Sequence, residues 1–105
     1  MQMNLDLRNL NSEPMKSRMH VIVEGLVQGV NFRYYTRQKA LELGLTGWVK
    51  NRPDGKVESI FEGDENAVEQ IVDWCRQGPP AAEVFNISVR KEEWRGEFKE
   101  FRVVH

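Results

Sequence analysis

The segment Gly25-Leu26-Val27-Gln28-Gly29-Val30-Asn31-Phe32-Arg33 has the residue types and spacing best suited to chemistry in this chain. It lies between a strand pattern and the first turn of a helical one. The opening amides of a helix lack intrahelical acceptors, and the helix dipole adds partial positive charge there. Gly29 lets the main chain turn successive N–H groups toward one point, a nest for an anion. Arg33 adds a fixed charge whose planar fork matches two phosphate oxygens at once. Together they favour a compact dianion. A glycine between strand and helix also serves as a plain tight connection, and an arginine early in a helix also stands simply in solvent. The residues alone leave both readings open.

Asn51 is the second candidate. It ends a strand pattern just before Arg52-Pro53-Asp54-Gly55, and an Asn there commonly bonds its own backbone in the turn. From pattern alone the turn reading is favoured, although the amide could also accept from and donate to a water molecule. The remaining reactive types offer less. Cys75 falls mid-stripe on an apolar helix face and reads as a packed core thiol. His20 alternates with apolar neighbours, His105 ends the chain, and neither joins a catalytic trio. Ser59 and Ser88 lie mid-strand without a nucleophile elbow. No Asp/His/Glu cluster suggests a metal, and Glu92-Glu93 falls on a polar stretch before Trp94-Arg95-Gly96 that reads as a solvated hairpin.

The elements that must position these residues follow from periodicity. Met19, Val21 and Val23 alternate on a strand ended by Gly25. At about 100° per residue, Phe32, Tyr35, Thr36, Ala40 and Leu43 share one stripe of a helix over residues 32–43, with Gly44 at its C-terminal cap. Residues 46–51 and 56–62 form a hairpin around the Pro-Asp-Gly turn. Asp64 can cap a second helix, with Glu65 in its first turn. That helix gathers Ala67, Val68, Ile71, Val72, Trp74 and Cys75 on one face, and Gly78-Pro79-Pro80 stops it. Phe85, Ile87 and Val89 alternate on the next strand; Phe101, Val103 and His105 alternate on the last, after Phe98. The order is β-α-β-β-α-β, the final β being a pair or one long bent strand. That is the split βαβ pattern of a ferredoxin-like α+β sandwich, two helices packed on one face of an antiparallel sheet. Its inner strands are neighbours, so Asn51 can lie near the loop before Arg33.

The totals bound the function. A chain of 105 residues makes one core and not two. With 15 basic and 16 acidic residues the formal charge is −1, which argues against broad nucleic-acid or membrane binding through net charge. One cysteine excludes an internal disulfide and a multi-cysteine metal site. No stretch is long and apolar enough for a membrane span, and the start lacks the apolar run of a secretory signal, so a cytoplasmic setting is expected. Residues 1–17 read as a flexible polar extension and residues 18–105 as the domain; an over-long start, with Met15 or Met19 as the true beginning, explains the extension equally well. Nothing in the apolar pattern demands a partner copy, so a monomer is expected.

Beyond these readings, residues 25–33 resemble the acylphosphatase signature Gly-x-Val-Gln-Gly-Val-x-Phe-Arg. Gly47-Trp48-Val49-Lys50-Asn51, then Asp54-Gly55 and Val57-Glu58, resemble that family's second signature, and Glu62-Gly63 matches its strand end. The resemblance covers about Met19 to His105. It implies hydrolysis of a small-molecule acyl phosphate to a carboxylate and inorganic phosphate, without metal or cofactor. It further implies that Arg33 binds phosphate, that Asn51 positions the attacking water, and that the amides of Gln28, Gly29, Val30, Asn31, Phe32 and Arg33 hold the phosphoryl oxygens. Two rivals share the fold. An RNA-recognition module wants basic and aromatic residues where Lys56-Val57-Glu58-Ser59-Ile60-Phe61-Glu62 has two acids and one aromatic. A non-catalytic anion sensor would bind phosphate without releasing any.

Overall fold

The alternation of Met19, Val21 and Val23 resolves into strand β1, Lys16–Leu26, whose two valines are buried. A computed structural model describes residues 15–105. After β1 come α1 (Phe32–Glu42), β2 (Thr46–Asn51), β3 (Val57–Asp64), α2 (Glu65–Gln77), β4 (Glu83–Glu92) and β5 (Phe101–Val104). The extension expected over residues 1–17 lies mostly outside the described residues. Its last two residues belong to β1 instead: Lys16 stands opposite Asp64 and Ser17 opposite Gly63, because β3 runs far enough to pair with them.

The strands order as β4-β1-β3-β2-β5 in one sheet. β1 is antiparallel to β3 and β4, and β2 to β3, as a ferredoxin-like sandwich requires. β5 is parallel to β2, so the sheet is mixed rather than wholly antiparallel. The two strands that close the chain are therefore separate and occupy opposite edges. Register then brings the site together. Val57 stands opposite both Val23 and Asn51, so β1 and β2 meet at one end of the sheet with Val57 of β3 between them.

One layer of helices covers one face. α1 buries Phe32, Thr36 and Ala40, an i, i+4 row. Tyr35, expected on that stripe, is exposed and meets Tyr34 edge-on at 5.2 Å. α2 buries Ala67, Val68, Ile71, Val72 and Cys75, and its half-buried Trp74 meets the Phe32 ring at 5.6 Å. Burial pushes the Cys75 thiol up to about 12, as befits a core thiol. Phe61 and Phe101 stack at 5.6 Å. Asp64 precedes α2 as expected, but its carboxylate does not cap the helix and faces Lys16 Nζ at 3.4 Å.

Two expectations fail for identifiable reasons. Gly25 does not end β1; the strand continues to Leu26 through a bulge at Glu24 and Gly25. Across it, Glu24 stands opposite Asn86 and Gly25 opposite Val84, which leaves Phe85 as the extra residue. Val84 and Ile87 pack on the core while Phe85 is thrown out, 67% exposed. A Cβ on Gly25 would lie 2.1 Å from the Glu83 carbonyl oxygen, so β4 passes where only glycine fits. The stretch after Glu92, expected to be a solvated hairpin, is tethered. The buried Glu62 carboxylate accepts from the amides of Arg95, Gly96 and Glu97 at 2.8, 3.2 and 2.9 Å.

Candidate active site

The connection from β1 to α1 turns in two left-handed steps, Gly29 at φ 77° and Asn31 at φ 64°. Asparagine is among the few side-chain-bearing residues that accept this conformation. Asn31 occupies the N-cap of α1, yet its side chain makes no capping bond. The amide of Tyr35 is satisfied by the Asn31 carbonyl at 3.1 Å. Among the described residues, the amides of Gln28, Gly29, Val30, Asn31, Phe32 and Arg33 have no turn, loop or side-chain acceptor. A loop of unpaired donors between two left-handed residues, at the positive end of a helix, has the electrostatics of an anion nest.

The loop is held to the hairpin by a side chain. Gln28 Nε2 donates to the carbonyl oxygens of Arg52 at 2.8 Å and Lys56 at 3.0 Å. Those two residues close the turn, where the Arg52 amide donates to Lys56 O at 2.8 Å and the Gly55 amide to Arg52 O at 3.1 Å. Asp54 Oδ1 accepts from the Lys56 amide; that bond, with Arg52 alongside and against some desolvation, holds the Asp54 carboxyl below its ordinary range. Gln28 thus ties the nest to the residue that follows Asn51.

Arg33 and Asn51 come together in one cavity of about 420 Å³, which Gly29, Asn31 and Phe32 also line. Gln28 and Val30 do not line it: Gln28 faces the turn and Val30 packs on the core. Among the described residues the Asn51 carboxamide makes no hydrogen bond within the protein, so the turn that could have claimed it does not. Arg33 Nη1 donates to Nδ1 of His105 at 3.2 Å, and that ring forms part of the cavity wall. Sequence reasoning gave His105 no part here, and β5 places it: the parallel pairing with β2 carries Val103 and Val104 alongside Val49 and Lys50, to the same end as Asn51. No Asp or Glu lines the cavity. Among the described residues no group of three or more His, Cys, Asp or Glu is arranged to hold a metal ion. His20 lies elsewhere, its Nε2 2.6 Å from Glu58 Oε2.

Fold and cavity define a small α+β sandwich with an arginine-bearing cleft, lined by no Asp or Glu side chain, at one end of its sheet. Residues 19–103 match the acylphosphatase family. A protein of Pelotomaculum thermopropionicum named acylphosphatase is 56% identical over 88 residues, which cover 84% of this chain and 96% of that protein. Another so named, of Geotalea uraniireducens, is 50% identical over 91 residues, 87% of this chain and 100% of that one. The crystal structure of acylphosphatase from Bacillus subtilis superposes with a TM-score of 0.81 at 41% identity, covering 87% of this chain and all of that chain. The chain belongs to the acylphosphatase family.

Proposed function

We propose that this protein hydrolyses the carboxyl–phosphate anhydride of acyl phosphates, releasing a carboxylate and inorganic phosphate. The observation that carries the reading is the meeting of Arg33, Asn51 and a run of unengaged amides around one cavity. Membership of a family whose close relatives are named for that activity supports it independently.

In this reading the amides of Gly29, Asn31, Phe32 and Arg33, the members of the 28–33 run that line the cavity, and the Arg33 fork hold the phosphoryl oxygens. Phosphoryl transfer asks mainly for positioning and for stabilisation of charge on those oxygens. The Asn51 carboxamide holds a water in line with the bond to be broken. The water oxygen bonds to phosphorus as the bridging P–O bond breaks and its electron pair leaves with the carboxylate. That leaving group is a weak base, with a conjugate-acid pKa of about 4, and departs unprotonated. An amide is no base, so the proton of the water passes to a phosphate oxygen.

Release of phosphate from acetyl phosphate is the direct test. Wild-type protein turns the substrate over, Arg33→Ala does not, and Arg33→Lys recovers little because the fork is lost. Phosphate binding by wild type without any release would instead make the domain an anion sensor.

A further inference from the structure

Arg33 is not the only guanidinium at this cavity. Arg37 lies one helical turn further along α1 and lines it too. Its Nε donates to the Phe101 carbonyl oxygen at 3.3 Å, which fixes the side chain against β5. Among the described residues its two terminal nitrogens have no acceptor and no carboxylate partner. Cβ atoms at i and i+4 are about 5–6 Å apart, so the two cations serve neighbouring but separate parts of the space. At about 420 Å³ the cavity holds far more than one phosphoryl group and lies in the range that takes small organic ligands. Beyond the cradle it is walled by Arg37, Tyr34 and Val103. The nest and Arg33 account for one end of a substrate. An unneutralised cation remains for the other.

We propose that Arg37 is a specificity residue, a subsite for a carboxylate at the far end of the acyl group. The protein then favours acyl phosphates of dicarboxylic acids over those of monocarboxylic acids. This rests on the acyl-phosphate reading above. The tether to Phe101 matters, because a guanidinium already restrained loses less freedom when it takes a ligand. Arg37 is also exposed, which keeps the effect to the scale of a solvent-accessible ion pair.

Succinyl phosphate and butyryl phosphate separate the cases, since their acyl chains are of equal length and differ in a terminal carboxylate against a methyl. The expected ratio of their kcat/KM values in wild type is about fivefold in favour of succinyl phosphate at low salt, shrinking toward unity as salt screens the pair. Arg37→Gln brings the ratio to about one, Arg37→Lys keeps most of it, and Arg37→Glu reverses it. A wild-type ratio of one or less overturns the proposal. So does an Arg37→Gln variant that slows both substrates by the same factor, which would mark a structural or phosphate-directed role. The salt series uses wild type alone and stands even if a variant folds poorly. Absence of phosphate release from either substrate would sink the acyl-phosphate reading itself, and this subsite with it.

Discussion

Arg18 and Arg33 are the same residue put to opposite uses. Arg18 is buried on β1, where Nε meets Glu92 at 2.8 Å and Nη1 meets Glu62 at 3.1 Å and Glu97 at 2.9 Å. The guanidinium also lies 5.5 Å from the centre of the Phe98 ring. Desolvation works against the charge of Arg18, but the three carboxylates outweigh it and raise its pKa. Arg33 is only half-buried, has the His105 imidazole for its partner, and among the described residues makes no ion pair with an Asp or Glu. A cation whose partners are all supplied by the fold fixes the fold. One left without an anion can take an anion from outside, the role proposed for Arg33.

The widest separation between the two is expected from alanine substitution. Arg33→Ala should lower kcat/KM on acetyl phosphate about 10³-fold, or about 4 kcal/mol of transition-state stabilisation, with unfolding free energy nearly unchanged. Arg18→Ala should do the reverse. It strands the buried Glu62 carboxylate and should cost about 3 kcal/mol of stability by urea unfolding, while activity per folded molecule persists. Equal losses of activity in both variants would erase the distinction.

Asn51→Ala should lower kcat about 10²-fold while affinity for inorganic phosphate changes little, because the role given to Asn51 belongs to the water and not to the phosphoryl group. Unchanged turnover would remove Asn51 from the mechanism.

Acid titration sharpens the structural side. Burial opposes ionisation of Glu62, but the amides of Arg95 and Glu97 and the Arg18 guanidinium together hold its carboxyl below the ordinary range. Arg18 does the same for Glu92, with Arg90 helping. Both groups therefore bind protons more weakly folded than unfolded. Their contribution is fully present above the ordinary carboxylate range of about 4 and is lost as pH falls through the lower folded values. Glu62→Gln should flatten that acid limb of the stability curve, and an unaltered limb would show that the cluster contributes nothing to it. The smallest effect tests the cradle backbone. Asn31→Val puts a β-branched residue at φ 64° and should cost about 1–2 kcal/mol, with phosphate affinity falling beside stability.

The difference between the two arginines also marks what was legible in the sequence. The cradle is local: Gly29 and Arg33 sit four residues apart at a strand–helix junction, and the Pro-Asp-Gly turn fixes the end of β2 within a short span. Periodicity sufficed for the elements, and family resemblance for the roles proposed for Arg33 and Asn51. The Arg18 cluster joins residues 44, 74 and 79 positions apart, a distance over which no local pattern reports. The tie from Gln28 to the turn spans 24 and 28 positions and was hidden likewise. Phe85 was misplaced because a bulge adds one residue to a strand that otherwise alternates cleanly. His105 was missed as a cavity residue because its place depends on β5 running parallel to β2, a pairing set by the whole sheet, and the tether of Arg37 was hidden because its acceptor, the Phe101 carbonyl, is 64 positions away.

The central claim is that the donors of residues 28–33 are free to receive a phosphate group, and amide NMR during a titration with inorganic phosphate tests it most directly. The expected result is saturable shifts concentrated on Gly29, Asn31, Phe32 and Arg33, abolished in Arg33→Ala and undiminished in Arg18→Ala. Those amides staying still while shifts gather elsewhere on the surface would contradict it.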